Sequence, residues 1–196
     1  PRELYGSLVD RLAKLMSVHL CGILIYDDSE RALLSQPPFR GVPDAFIEHY
    51  RIPVPPGSAA ARLWRETDSW YSNNLAEDPL VVELGLKDLA NAIGVRSTLL
   101  VPLIVGGNRL GIVQVSNKIN NALFDDDDAR LLRLFAGQAA ALIGNARLVR
   151  EAEQRAERAE TLRQISEITG SARTLAEIYH EVITSTVQMV KADFAA

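Results

Sequence analysis

The residues that could act as nucleophiles or metal ligands are few and scattered. Cys21 is the single cysteine, which excludes an internal disulfide framework and a cysteine-based zinc site. It lies in the apolar run HLCGILIY, His19–Tyr26, and reads as a small buried hydrophobe, not a nucleophile. His19, His49 and His180 stand apart from one another, with no second histidine at helical ligand spacing; His49 reads as an exposed helix histidine. The run Asp125–Asp128 lacks the alternating oxygen ligands and the glycine of a calcium loop. No Ser-His-Asp set, phosphate loop or paired-carboxylate constellation is recognisable. The chain is read as non-enzymatic, with no metal site, and its cofactor stays unassigned.

The 196 residues are 47% hydrophobic and 23% charged, enough apolar material for one domain or one and a half. A net charge of −4 announces no basic face, which argues against nucleic acid as partner. No apolar run reaches transmembrane length, and the start PRELYGS is not a signal peptide. A cytoplasmic protein without membrane contact from this segment is expected. The chain opens inside helical periodicity and closes on Ala-Asp-Phe-Ala-Ala, so it is expected to be a fragment.

The elements that must position any site are legible from periodicity. Leu4, Leu8, Leu12 and Leu15 mark one face of a helix over Leu4–Met16. His19–Tyr26 and Arg31–Gln36 read as a hairpin about Asp27-Asp28-Ser29, with Pro37-Pro38 ending the second strand. Pro43-Asp44 opens a short helix through Tyr50, and Arg51–Val54 is extended. Gly57-Ser58 caps a helix reaching Trp64 and Arg65. Trp70 and Tyr71 form a short strand into the turn at Asn73-Asn74, and Leu80–Ala92 is weakly helical, interrupted at Gly85. Ser97–Val105 and Arg109–Asn117 are strong strands joined by Gly106-Gly107-Asn108. Pro102 places the first of these at an edge or a bulge.

A long helix follows. Asp125–Asp128 cap it and complement its dipole, and Leu131, Leu134, Phe135, Ala139, Leu142 and Ala146 predict a core-facing stripe. It continues through the charged segment REAEQRAERAE to about Ile168, a rod on the order of 65 Å. Ala152, Ala156 and Ala159 follow coiled-coil spacing; the competing reading is a solvated linker held by Glu151–Arg155 type pairs. From Ser171, Thr174 with Glu177 forms a capping box, and a strand is expected to begin at Ala192-Asp193-Phe194. The fold class is α+β: a central antiparallel sheet flanked by helices, then a long C-terminal helix.

In order and spacing, four pieces resemble a GAF domain, a sensor module related to PAS domains. They are ALLSQPPFRGVPDAFIEHYRIPVPPGSAAARLWRE, SWYSNNLAEDP, IGVRSTLLVPLIVGGNRLGIVQVSNK and FDDDDARLLRLFAGQAAALIGNARL. The resemblance implies a sheet of five or six strands with helices on both faces, over residues 1–146. It further implies a helical, coiled-coil linker over 147–170 and the truncated start of a second such domain over 171–196. Cyclic-nucleotide-binding members of the family carry Asn-Lys, a spacer, Phe, three residues and Asp-Glu. Asn117, Lys118, Phe124 and Asp128 match, but Ala129 stands at the Glu position, so the set reads as architectural, with Lys118 able to pair with Asp128. Relatives that reduce methionine sulfoxide use several cysteines, and bilin-binding relatives use a cysteine near the pocket helices; neither pattern is present.

What remains is a pocket between the sheet and an irregular cover. Polar residues on otherwise apolar elements are the candidate ligand-binding set: Gln114 and Ser116 on one face of the last strand, Arg96 and Ser97 entering its neighbour, and Arg40, Tyr50, Tyr71 and Asn73 in the covering segments. Arg40 and Arg96 are either anion ligands or surface arginines. Two functions are open. One is a small-molecule sensor of a signal-transduction protein, such as a two-component system, passing ligand state through a dimeric helical linker to an output domain. The other is a scaffold that only dimerises. Both expect a homodimer through the closing and linker helices.

Overall fold

The computed structural model describes the backbone of residues 2–193 and the side chains of residues 2–166, 179, 180 and 183. The chain divides into two compact units, Pro1–Ala146 and Arg147–Ala196. The first is built on a six-stranded antiparallel sheet in the order β3-β2-β1-β6-β5-β4. Its strands are β1 (Val18–Asp27), β2 (Ala32–Arg40), β3 (Arg51–Pro53), β4 (Trp70–Ser72), β5 (Thr98–Val105) and β6 (Asn108–Lys118). Helices α1 (Arg2–Leu15) and α6 (Asp126–Asp193) bracket the chain. Four short α-helices lie between β2 and β5, along with β3, β4 and a 3-10 turn at Leu75–Glu77: α2 (Asp44–Ile47), α3 (Ala59–Glu66), α4 (Pro79–Glu83) and α5 (Lys87–Ala92).

Strand alternation sorts the sheet into two cores. Cys21, Ile23, Leu99, Val101, Leu103, Val113 and Val115 pack with Val9, Leu12 and Ala13 of α1 and with Leu132, Ala136, Ala140 and Ile143 of α6. Leu20, Leu24, Leu33, Phe39 and Ile112 pack on the opposite side with Ile47, Ala61, Val81 and Ala90 of the short helices and Val95 of the loop before β5. One face is thus sealed by two regular helices, and the other is covered by short helices and loops.

Local chemistry explains the connections. Gly106 and Gly107 take positive φ (57° and 82°), which a two-residue turn between twisted strands requires, and Val105 pairs with Asn108 across it. Ser58 caps α3 by accepting from the Ala61 N–H at 3.0 Å, and Gly85, at φ 66°, separates α4 from α5. Pro102 lies beyond β4, which pairs with β5 only at Thr98–Leu100; it therefore occupies a local edge, where a missing N–H is tolerated.

Three expectations are corrected. Pro37-Pro38 does not end β2. The register between β1 and β2 jumps from Ile23↔Gln36 to Cys21↔Arg40, so both prolines sit in a bulge that makes no demand on their absent N–H groups. Gly22 faces this bulge, and a Cβ there would lie 2.0 Å from the Phe39 ring. The stripe that α6 buries is also displaced from the expected one: Ala129, Leu132, Ala136, Ala139, Ala140 and Ile143 are buried, whereas Leu134 is 70% and Leu142 50% exposed. The face turned to the sheet core is rich in small residues, with Leu132 and Ile143 as its large members. Finally, α6 runs as one helix to Asp193, so no new helix begins at Thr174 and Ala192-Asp193 is helical; Phe194 lies outside the described residues. Among the described residues no helix is long and apolar enough to cross a membrane.

Candidate functional site

The covered face of the sheet holds a cavity of about 120 Å³. Its floor is Thr98, Leu100 and Pro102 of β5 with Arg109, Ile112 and Gln114 of β6. Its walls come from Tyr50, Ile52 and Val54, from Ala60, Leu63 and Trp64 of α3, from Trp70 of β4, and from Leu80, Leu84, Leu89 and Ile93 in the α4–α5 region. The amphipathic α3 turns its apolar side to this space while Arg62 and Glu66 stay outside it. A space of this size, lined mainly by apolar side chains with a few polar groups, has the form of a small-molecule pocket. A smaller void of about 20 Å³ adjoins it, sharing Tyr50, Ile93, Val95 and Gln114; that is room for one water.

A short polar relay crosses the floor. The Tyr50 hydroxyl donates to Gln114 Oε1 at 2.9 Å, and Gln114 Nε2 reaches Thr98 Oγ1 at 3.5 Å. The Thr98 hydroxyl donates to the Val115 carbonyl at 3.1 Å, so the 2.8 Å contact between Thr98 and Ser116 hydroxyls is donated by Ser116, since one hydroxyl carries one proton. Burial pushes the Tyr50 phenol well above its ordinary range, keeping it neutral and a donor wherever the domain works.

Of the eight candidate ligand residues, the structure brings together Tyr50 and Gln114 in the cavity, with Ser116 behind them beside the smaller void. The other five lie elsewhere. Arg40 ends β2 on the α1 side and pairs with Asp10 at 3.1 Å. Tyr71 alternates away from its cavity-lining neighbour Trp70 and reaches Asp126 of α6 at 3.4 Å; that carboxylate raises the phenol pKa. Asn73 makes a reciprocal pair with Phe124, donating to its carbonyl at 3.0 Å and accepting from its N–H at 2.8 Å. Arg96 is exposed and donates to Asn121 at 3.2 Å. Ser97 is buried, its N–H bonded to Asn117 Oδ1 at 3.2 Å.

The motif residues join sheet to closing helix. Asn117, at φ 55°, accepts from the Arg96 and Ser97 N–H groups (2.9 and 3.2 Å) and donates to the Gly94 carbonyl at 2.8 Å, pinning the entry to β5. Lys118 Nζ contacts both Asp128 oxygens, at 2.9 and 2.7 Å, and sits 5.9 Å from the centre of the Phe124 ring. Asp128 also accepts from the Asp125 N–H at 3.1 Å, while Asp125 accepts from Asp127 and Asp128, a reciprocal cap at the start of α6. Cys21 faces α1 and α6, away from the cavity.

Sequence reasoning missed Trp64, Trp70, Thr98 and Arg109. The tryptophans carry a usable signal, since a large aromatic on a short element of a covered face belongs in that cover. Arg109 carries none: it follows a Gly-Gly turn, where a surface arginine is ordinary, and its partners Thr67 and Asp68 are remote in sequence.

Residues 1–144 match the family described as GAF domain. The chain is 26% identical over 120 residues to the hybrid signal transduction histidine kinase G of Dictyostelium discoideum, a stretch amounting to 60% of this chain and 3% of that protein. Among solved structures, the GAF domain/HD domain protein from Geobacter sulfurreducens superposes with a TM-score of 0.61 at 18% identity, covering 75% of this chain and 94% of that one. The second GAF domain of DevS from Mycobacterium smegmatis gives a TM-score of 0.58 at 16% identity, covering 76% and 97%. At such identities these structures speak for the fold.

Proposed function

Because this chain belongs to the GAF family across residues 1–144, we propose that its first unit is a regulatory small-molecule sensor of a cytoplasmic signalling protein, with no catalysis of its own. The observation that carries this reading is the placement of the cavity. Its floor strands β5 and β6 are the strands whose opposite face holds α6. A body in the cavity presses on Leu100, Ile112 and Gln114, and their neighbours Leu99, Leu103, Val113 and Val115 carry the helix. The β5–β6 turn extends the connection, since Val105 and Leu110 lie against Gly144, where an added Cβ would sit 3.6 Å from the Val105 methyl groups. The relation to a hybrid signal transduction histidine kinase supports a role in signalling.

In this reading α6 is the transmitter, working in a homodimer. Support comes from Leu131, Leu134 and Leu142, large apolar residues left exposed on the first unit at spacings that share one helix face. Ala152, Ala156 and Ala159 are exposed on the second, at the spacing of a seam.

Tryptophan emission tests the sensor reading. Trp64 and Trp70 are the chain's two tryptophans, and both line the cavity, so intrinsic fluorescence reports on that space. Small molecules screened against the chain are expected to shift or quench the emission saturably, and Ala90→Phe, which fills the cavity from α5, is expected to abolish the response. A response unchanged in Ala90→Phe would place binding elsewhere and contradict the proposal.

A further inference from the structure

Arg109 identifies the chemistry of the ligand. Among the described residues it is the one charged side chain in the cavity lining. Its guanidinium donates from Nη1 to the Thr67 carbonyl at 2.9 Å and lies 6.0 Å from the centre of the Trp64 ring. The nearest carboxylate, Asp68, is 3.6 Å from Nη2, and the two side chains are unequally withdrawn from water: Arg109 is 19% exposed and Asp68 75%. An anion standing in solvent is screened and compensates its partner weakly. Fixing the end of α3 through Thr67 uses one N–H, whereas a guanidinium carries five in a rigid fork.

The rest of the lining is aliphatic or aromatic apart from Tyr50, Thr67, Ser69, Thr98 and Gln114. A purely apolar ligand gains nothing from a cation at the edge of a low-dielectric space. A ligand ending in a carboxylate gains a charge-assisted, two-pronged contact that strengthens as water is excluded. Resting on the reading of this cavity as a ligand site, we infer that the ligand is a compact monocarboxylate with an aromatic or branched apolar body, its carboxylate on Arg109 and its body between Trp64, Trp70 and Ile112. Arg109 is then the specificity-determining residue.

The test compares 3-phenylpropanoate with its neutral near-isostere 3-phenylpropanamide, titrated into the full chain and followed by tryptophan emission and by the methyl resonances of the lining leucines and valines. The acid is expected to bind about ten- to a hundred-fold more tightly than the amide, the range set by a hydrogen-bonded charge contact. Arg109→Gln is expected to bring the two within about two-fold of each other by losing affinity for the acid alone. Arg109→Lys, which keeps the charge without the fork, is expected to retain part of the preference and serves where the glutamine variant does not fold. Equal affinity of acid and amide for the native chain, or a preference surviving in Arg109→Gln, overturns the inference and leaves the cavity a ligand site. No response to either probe up to their solubility limits overturns the inference alone, because the sensor reading rests on the wider screen and its Ala90→Phe control.

Discussion

At the scale of single residues, the buried ionisable groups make definite statements about pH. Cys21 is 1% exposed, and burial pushes its thiol from 9.0 up to about 12. Below pH 9 the thiol is protonated in both folded and unfolded chains and contributes no pH dependence. Above pH 9 the unfolded chain releases the proton while the folded chain retains it, so stability falls as pH rises toward 12, at up to about 1.4 kcal/mol per unit. The buried Tyr50 phenol, also raised, acts in the same direction. Cys21→Ala is therefore expected to flatten the loss of stability between pH 9 and 11 in chemical denaturation; an unchanged slope would contradict the burial of the thiol. Arg109 shows what the sequence withholds at this scale. Arg40, Arg96 and Arg109 are alike as residues in strand-flanking positions. Only the folded partners separate them, Asp10 for the first, Asn121 for the second and the Thr67 carbonyl at the cavity for the third.

At the scale of elements, the one largely buried ion pair between the sheet and the closing helix, among the described residues, is Lys118–Asp128. Lys118 and Asp128 are 17% and 14% exposed, and the carboxylate also closes the cap of α6 through the Asp125 N–H. Removing one member leaves a largely buried charge without its counterion. A double-mutant cycle of Lys118→Met and Asp128→Asn is expected to give a coupling of about 1.5–3 kcal/mol, read from denaturation midpoints. A coupling near zero would make the pair incidental.

Much of this level was legible in the sequence, because it follows from periodicity and turn chemistry. The Gly106-Gly107 hairpin, the apolar β1 and the acidic start of α6 are local features. What was not legible arose from competition between local signals. In α6 two apolar stripes coexist, one of large leucines and one rich in alanine, and residue size alone favours burying the leucines. The face that meets the sheet core is nevertheless the alanine-rich one, with Leu132 and Ile143. In β2, two prolines predict an end that the bulge opposite Gly22 makes unnecessary. The same limit applied to the cavity: Tyr50 and Gln114 were identifiable as polar residues on apolar elements, but their 2.9 Å contact joins segments that only the β1–β6 pairing brings together.

At the scale of the whole molecule, sensing through α6 requires both a small molecule in the cavity and a second copy along the helix. Without the first, the cavity between Trp64, Trp70 and the β5–β6 floor has no occupant to sense. The second would cover Leu134 and Leu142, which are exposed on the first unit. Native mass spectrometry of the purified chain, followed by denaturing mass spectrometry of what it releases, reads both. A ligand-sensing dimer is expected to carry one small molecule per protomer after exposure to cell extract, that molecule released intact on unfolding and missing from Ala90→Phe. A bare polypeptide mass under gentle conditions, identical in the native chain and in Ala90→Phe with or without exposure to cell extract, would contradict the claim that this domain senses a ligand.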